Sequence, residues 1–265
     1  MVTPQVVLTR PAGRNEPLAA ALAAQGFSSL VLPALELQPL DLSAANWQDP
    51  ADFDLVMFVS GNAAAFYFSA LRARGVCWPA GVRLGAVGAA TARALVAQPG
   101  VPADLVLQPA DPASLQDSEA LWPQIQVLLP QVRRVLIVRG HIGREWLGTR
   151  LEQSGVQVSR LAVYRRCPQV WSTEQAQRVR QALQQFPLVL LSSSESVDAI
   201  LANVQRLGLQ ALWGRCRYVV IHPRIHEHLL SRLAQAGIDA HPVVKRCTPD
   251  DDAIVAAMIA VLSRD

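Results

Sequence analysis

At 265 residues the chain is long enough for one large domain or two small ones. It is 51% hydrophobic and 17% charged, which excludes a disordered tail-like chain, and its net charge of +3 is too small to argue for nucleic acid. No apolar run approaches the roughly 20 residues of a spanning helix. MVTPQVVLTRP at the start has neither the basic region nor the long apolar core of a secretory signal, so a soluble cytoplasmic protein with no membrane segment is expected.

In chain order, the first predicted unit is VVLTRPAGRNEPLAAALAAQGFSSLVLPALEL, residues 6–37. It reads as strand, loop, amphipathic helix with Leu at i and i+4, glycine stop, strand. An extended stretch with Pro33, Pro39 and Pro50 follows. The second unit is LVMFVSGNAAAF (55–66), an apolar strand ending in a small polar turn that opens a helix, and the third, RLGAVGAATARAL (83–95), repeats that scheme. VLIVRGHIGREWLGTRLEQSGVQVSRLAVYRR (135–166) is again of the first type, LVLLSSSESVDA (188–199) of the second and RYVVIHPRIHEHLL (217–230) of the third. AIVAAMIAVL near the end is too short to span a membrane and reads as a core helix.

The types are related by self-similarity. The two first-type units align without a gap at an offset of 129, placing Arg10 on Arg139, Glu16 on Glu145, Leu22 on Leu151 and Gly26 on Gly155. The second-type units align at an offset of 133, and the third-type match is weaker. Strands alternating with helices imply an α/β fold with parallel sheets covered on both faces. Duplication favours two similar flavodoxin- or Rossmann-like domains over one continuous sheet. The proline-flanked segments after each first-type unit look like paired crossover strands. The chain then divides into a discontinuous domain of 1–34 plus 169–265 and a second of 41–161. Segments 35–40 and 162–168 would form a two-stranded β linker that permits domain motion.

Parallel α/β sheets bind ligands beyond the carboxyl ends of their strands. Six turns lie there, and each precedes a helix whose first amides and positive end attract anions. The candidate residues in these turns are Arg10, Ser60, Gly61, Asn62, Gly88, Thr91, Arg139, Gly140, Gly143, Ser193, Ser194 and Arg224. Facing domains would offer six such ends to one cleft, which suits a polyanionic or multi-carboxylate small molecule. Taken singly, the serines and Thr91 also read as ordinary helix caps and the glycines as ordinary turn residues. Either arginine could instead pin its own loop.

Other chemistries find little support. Lys245 is the only lysine among 24 basic residues, a bias that suits carboxylate or phosphate recognition but also an arginine-rich genome. Cys77, Cys167, Cys216 and Cys247 are scattered, with no C-x-x-C, and read as idle thiols. There is no P-loop, no complete dinucleotide fingerprint and no G-x-S-x-G elbow. In HPRIHEH, Pro223 suits the first helical position and leaves His222 outside the helix, so surface or capping histidines are favoured over a zinc site. Tyr164, on the second crossover between Val163 and Arg165, is a candidate proton donor, or else a packing tyrosine.

In order, VVLTRPAGRNEPLAAALAAQGF…LPALELQPL, LVMFVSGNAAAFYF, GAVGAATARAL, VLIVRGHIGREWLGTRLEQSGVQVSRLAVYRR and LVLLSSSESV resemble the uroporphyrinogen-III synthase family over nearly the whole chain. The RG-x-x-GRE…VYRR segment is the most specific part. The resemblance implies a cofactor-free lyase of tetrapyrrole biosynthesis with two α/β domains joined by a β-ladder. Its substrate would be hydroxymethylbilane, a linear tetrapyrrole polycarboxylate, cyclised to uroporphyrinogen III with loss of water and inversion of the D ring. It implies that Tyr164 assists hydroxide loss and that Thr91 binds a substrate carboxylate. A monomer is expected. One departure concerns the third-type turn of the discontinuous domain, often GPTTA-like in relatives. Here it is HPRIH, with Arg224 and Ile225 at the threonine positions, and Arg224 becomes the candidate carboxylate partner. The competing readings are a non-catalytic two-domain module that binds a polyanion and a nucleotide-sugar glycosyltransferase. The first explains the repeat but not the motifs, and the second lacks a carboxylate motif for a metal–diphosphate.

Overall fold

Runs of Val, Leu and Ile set short strands whose side chains alternate between two apolar faces, and both faces need cover. The structure, a computed structural model, describes residues 5–110, 118–238 and 241–263. The chain opens with β1 (Val6–Leu8), α1 (Glu16–Ala24), β2 (Ser29–Val31) and β3 (Leu35–Pro39). It continues through β4 (Leu55–Phe58), α2 (Gly61–Ala73), β5 (Arg83–Ala86), α3 (Ala89–Val96), β6 (Val106–Leu107) and α4 (Ser118–Leu128). Next come β7 (Arg134–Gly140), α5 (Trp146–Gln153), β8 (Gln157–Pro168), α6 (Thr173–Leu183), β9 (Leu188–Leu191) and α7 (Ser194–Arg206). The last elements are α8 (Gln210–Trp213), β10 (Arg217–Val220), α9 (Pro223–Gln235), β11 (Val244–Arg246) and α10 (Asp251–Leu262). No helix among the described residues is long and apolar enough to cross a membrane.

Contacts divide the chain into two compact units, Met1–Leu37 with Cys167–Asp265, and Gln38–Arg166. The first holds a five-stranded sheet in the order β11-β10-β9-β1-β2, parallel throughout. Its strands feed two cores by strict alternation. Val7, Val189, Leu191, Tyr218 and Val220 meet α7 and α9 on one face. Val6, Leu8, Leu188, Leu190 and Val219 meet α1 and α10 on the other, so AIVAAMIAVL is a core helix.

The second sheet runs β3-β8-β7-β4-β5-β6, with β4 to β8 parallel. Substituting each strand by its repeat partner (β7 for β1, β8 for β2, β4 for β9, β5 for β10, β6 for β11) reproduces the first sheet's order. The first-type unit simply comes last in the chain here rather than first. The shared details are local. Gly26 and Gly155 both have φ near +80°, at +83° and +79°, which ends the helix in a left-handed turn open to glycine at little cost. Gly26 N–H donates to Ala23 O and Phe27 N–H to Leu22 O; Gly155 and Val156 make the same bonds to Glu152 and Leu151.

The segments expected as paired linker strands fall in β3 and the end of β8. β8 is one twelve-residue strand, and its far end, with β3 beside it, is part of the six-stranded sheet. Its register with β7 slips between Arg139 and Gly140, so that Arg139 lies opposite Ala162 but Gly140 opposite Tyr164. The extra residue, Val163, makes a bulge, a device that re-aims side chains at a strand's end.

Asp54 ties the start of β7 to the start of β4. Its carboxylate accepts from the amides of Arg133 (2.7 Å) and Arg134 (2.9 Å), and the Arg134 and Arg133 amides hold its carboxyl below the usual range. A carboxyl depressed in the folded state contributes stability above its unfolded pKa and loses it as pH falls through the folded value. Asp54→Asn should therefore lower unfolding free energy at neutral pH by roughly 1 kcal/mol, the exposed position discounting a charge-assisted bond. In urea melts the difference from wild type should shrink as the pH is taken below the ordinary aspartate range.

Candidate functional site

In the second unit the chain leaves β4 towards β5 and leaves β7 towards β8, on opposite sides, which makes the β4/β7 junction the switch point of the sheet. The helices that follow diverge accordingly. Leu147 and Leu151 of α5 pack with Leu55, Met57, Val135 and Ile137 on one face. Tyr67 and Phe68 of α2 pack against Phe58 on the other. Between them, beyond the strand ends, lies a cavity of about 270 Å³. Ser60 lines it from the β4–α2 turn, Arg139, Gly140, Gly143 and Glu145 from the β7–α5 loop, and Tyr164 and Arg166 from β8.

Tyr164 is 3% exposed, and its position is heavily specified. Its ring stacks on Phe66 of α2 with centroids 5.5 Å apart and planes 20° apart. Its hydroxyl lies 3.3 Å from Ser60 Oγ, which also accepts from the Ala63 amide at 3.1 Å and so caps α2. His141 N–H donates to Tyr164 O (2.8 Å), fixing the backbone at the bulge. A side chain at Gly140 would bring its Cβ within 2.9 Å of the phenol ring, so glycine is required for close approach.

Arg139 is also buried, at 8% exposure. Its Nε donates to Gly140 O (3.3 Å) and its Nη1 pairs with Glu145. Gly143 serves this group: a Cβ there would lie 2.8 Å from Arg139 Nη2. The other Glu145 oxygen accepts from Arg160 Nε (3.0 Å), and Arg160 Nη1 donates to Glu152 (2.7 Å). The Arg139 guanidinium, and after it Arg160, holds the Glu145 carboxyl below its ordinary value. Arg144, also at the cavity, pairs with Glu119.

The other second-unit candidates sit on neighbouring turns. Gly61 and Asn62 form the first turn of α2, Gly88 is the N-cap of α3, and Thr91 is buried in α3's first turn. None of these four lines the cavity, although Val87 beside Gly88 does.

The first-unit candidates occupy the equivalent strand ends, with different chemistry. Arg10 departs from the expectation of a guanidinium offered to a ligand. It is 6% exposed and its Nη1 pairs with Asp251 at 2.6 Å, while Nη2 donates to Pro249 O at 3.1 Å. It pins the start of α10 to the end of β1. Arg10→Gln should accordingly lower stability by about 2 kcal/mol, the cost of unmaking charged buried hydrogen bonds, with KM unchanged. Thermal melts beside initial rates will show it. Ser193 caps α7 in a reciprocal box with Ser196, and Ser194 is the first residue of that helix. Arg224 is exposed in the first turn of α9, where its amide donates to His222 Nδ1 (3.1 Å). His222 is thus a capping histidine, and His228 pairs with Asp198 (2.9 Å). Among the described residues no cluster of His, Cys, Asp and Glu side chains suits a metal ion.

Five residues of the constellation escaped the sequence reading as site residues: Phe66, Arg144, Glu145, Arg160 and Arg166. The alignment itself held a signal. At the offset of 129, Gly140, Gly143, Arg160 and Tyr164 match Pro11, Arg14, Val31 and Leu35, so only the second unit carries the set.

Comparison with known proteins agrees over most of the chain. A family model described as uroporphyrinogen-III synthase HemD matches residues 16–251. A uroporphyrinogen-III synthase of Salmonella typhimurium is 28% identical, over 96% of this chain and 99% of its own. The one of Escherichia coli is 27% identical, over 83% and 88%. Among solved structures, uroporphyrinogen-III synthetase from Helicobacter pylori covers 99% of this chain and 100% of its own, with a TM-score of 0.52 at 15% identity. A mutant uroporphyrinogen III synthase from Thermus thermophilus gives the same coverage with a TM-score of 0.51 at 18% identity. Both share the fold.

Proposed function

The chain belongs to the uroporphyrinogen-III synthase family, and from that premise we propose that it cyclises hydroxymethylbilane to uroporphyrinogen III at the β4/β7 crevice of its second unit. The observation that carries this siting is a buried phenol, Tyr164, held by Ser60 and Phe66 in the same cavity as Arg139 and Arg166.

The chemistry asks little of a strong base and much of geometry. The electron-rich terminal pyrrole pushes out the hydroxyl of the substrate's hydroxymethyl group, and the leaving group needs a proton. Tyr164 supplies it from its O–H, and water departs. Ser60 Oγ, at 3.3 Å, then donates to the phenolate that remains. The azafulvene is attacked by the substituted α-carbon of the D ring. The spiro intermediate opens at the original bond, and the ring recloses through its other α-carbon. That carbon loses its proton as the pyrrole regains aromaticity, which balances the proton spent by Tyr164.

Selecting inversion over direct closure is a matter of holding the chain so that the inverting carbon is nearer. Carboxylates on every pyrrole provide the handles. The guanidinium of Arg139, with Arg144 and Arg166, supplies fork-shaped donors for them. The test is the rate of hydroxymethylbilane consumption with catalytic enzyme against buffer alone. A rate well above the spontaneous one is expected, and no acceleration would remove the proposal.

A further inference from the structure

The Arg139–Glu145–Arg160 cluster offers more than a fixed ion pair. We propose that Glu145 is an exchangeable counter-ion: it holds the Arg139 guanidinium until a substrate carboxylate takes that position, then stays on Arg160. The inference rests on the synthase reading and adds to it a residue that sets which ligands gain the arginine.

Four features of the site support exchange. First, the arginine is fixed while the glutamate is not. The Arg139 side chain is 9% exposed and anchored to Gly140 O, whereas that of Glu145 is 58% exposed and lines the cavity. Second, the helix does not need the Glu145 side chain. Glu145 stands at the N-cap of α5 but its carboxylate caps no amide, and helix entry is made by its backbone carbonyl, which accepts from Thr149 N–H (3.0 Å). The carboxylate can swing without opening the first turn. Third, a second cation already waits on its other oxygen. Arg160 Nε is 3.0 Å away, and Arg160 is itself held by Glu152. The exchange therefore trades one Arg139–carboxylate pair for another and leaves no charge alone.

The fourth feature is the repeat, which provides an internal control. The equivalent Arg10 is held by Asp251 and by Pro249 O, from another part of the chain. The equivalent of Glu145, Glu16, accepts from the Asn15 amide, and the equivalent of Arg160 is Val31. The copy whose arginine is structural lacks both the exchangeable glutamate and its resting place.

The consequence is selectivity. A ligand gains Arg139 only by presenting a carboxylate that outcompetes Glu145, so a neutral pyrrole leaves the pair closed. The test is a double-mutant cycle on the full-length enzyme, read as KM and kcat for hydroxymethylbilane, with thermal melts to show that each variant is folded. Glu145→Gln should lower KM by about three- to tenfold with kcat within about twofold, because the competitor is removed. Arg160→Gln should raise KM by about two- to fivefold, because Glu145 then has only Arg139. Glu145→Gln combined with Arg160→Gln should return KM to that of Glu145→Gln alone.

An unchanged or raised KM in Glu145→Gln would overturn the proposal and make Glu145 a positioning residue for Arg139. An equal rise from Arg160→Gln with and without Glu145 would also overturn it, since Arg160 would then act on substrate directly. Failure of the synthase reading looks different: the wild-type enzyme itself would not accelerate consumption of the substrate.

Discussion

Tyr164→Phe should lower kcat by roughly 10²-fold while leaving KM within about twofold. Phenylalanine keeps the ring against Phe66 and the close approach over Gly140, so the substitution removes one O–H and little else. Ser60 Oγ retains the Ala63 amide, and α2 keeps its cap. The stability cost is confined to one neutral hydrogen bond, about 1 kcal/mol. A proton donor to the departing hydroxide shows in kcat because it acts only in the transition state. A tyrosine that merely packs would give full activity, and one that binds substrate would raise KM at unchanged kcat. The three outcomes separate cleanly in initial rates.

The second large effect is expected at Arg139. Arg139→Gln should raise KM by roughly 10- to 100-fold, the loss of a charge-assisted, fork-shaped contact to carboxylate in a buried setting. kcat should change less. Some stability will also go, because Gly140 O loses a donor and Glu145 keeps only Arg160. The same substitution at Arg10 should do the reverse, destabilising the fold with KM intact. Two arginines that align without a gap thus have opposite mutational signatures. If both variants raise KM alike, the assignment of Arg10 to a structural role is wrong.

That contrast also shows what the sequence can and cannot reveal. Local features repeat because they depend on neighbours within a few residues. The left-handed Gly26 and Gly155, the caps Ser60 and Ser193, and the paired N-caps Gly88 and His222 all follow from short-range geometry. The α/β alternation and the parallel sheets follow from strands that are apolar on both faces. Partner choice does not. Arg10 meets Asp251, distant in the chain, because α10 covers the same sheet face as α1. Arg139 finds Glu145 six residues on. No spacing rule distinguishes those outcomes. The site around Tyr164 depends on a bulge at Val163 that leaves no mark on the alternation of LAVYRR. For the same reason the alternation of LAVYRR does not show that the strand expected at 162–168 continues the one before it, as the end of β8.

The glycines carry a lesson of their own. Gly140 and Gly143 read from sequence as turn residues before a helix, offering amides to an anion. Neither has a positive φ; a Cβ at Gly140 would meet the Tyr164 ring, and one at Gly143 the end of the Arg139 side chain. The loop that looked like an anion cradle is also a seat for the phenol and the guanidinium.

The measurement that reaches the central claim most directly is the isomer composition of the product. Freshly prepared hydroxymethylbilane, converted by catalytic amounts of the purified chain and oxidised for isomer-resolved chromatography, should yield uroporphyrin III in large excess over isomer I. Isomer I alone, formed at the rate seen in buffer, would contradict the account.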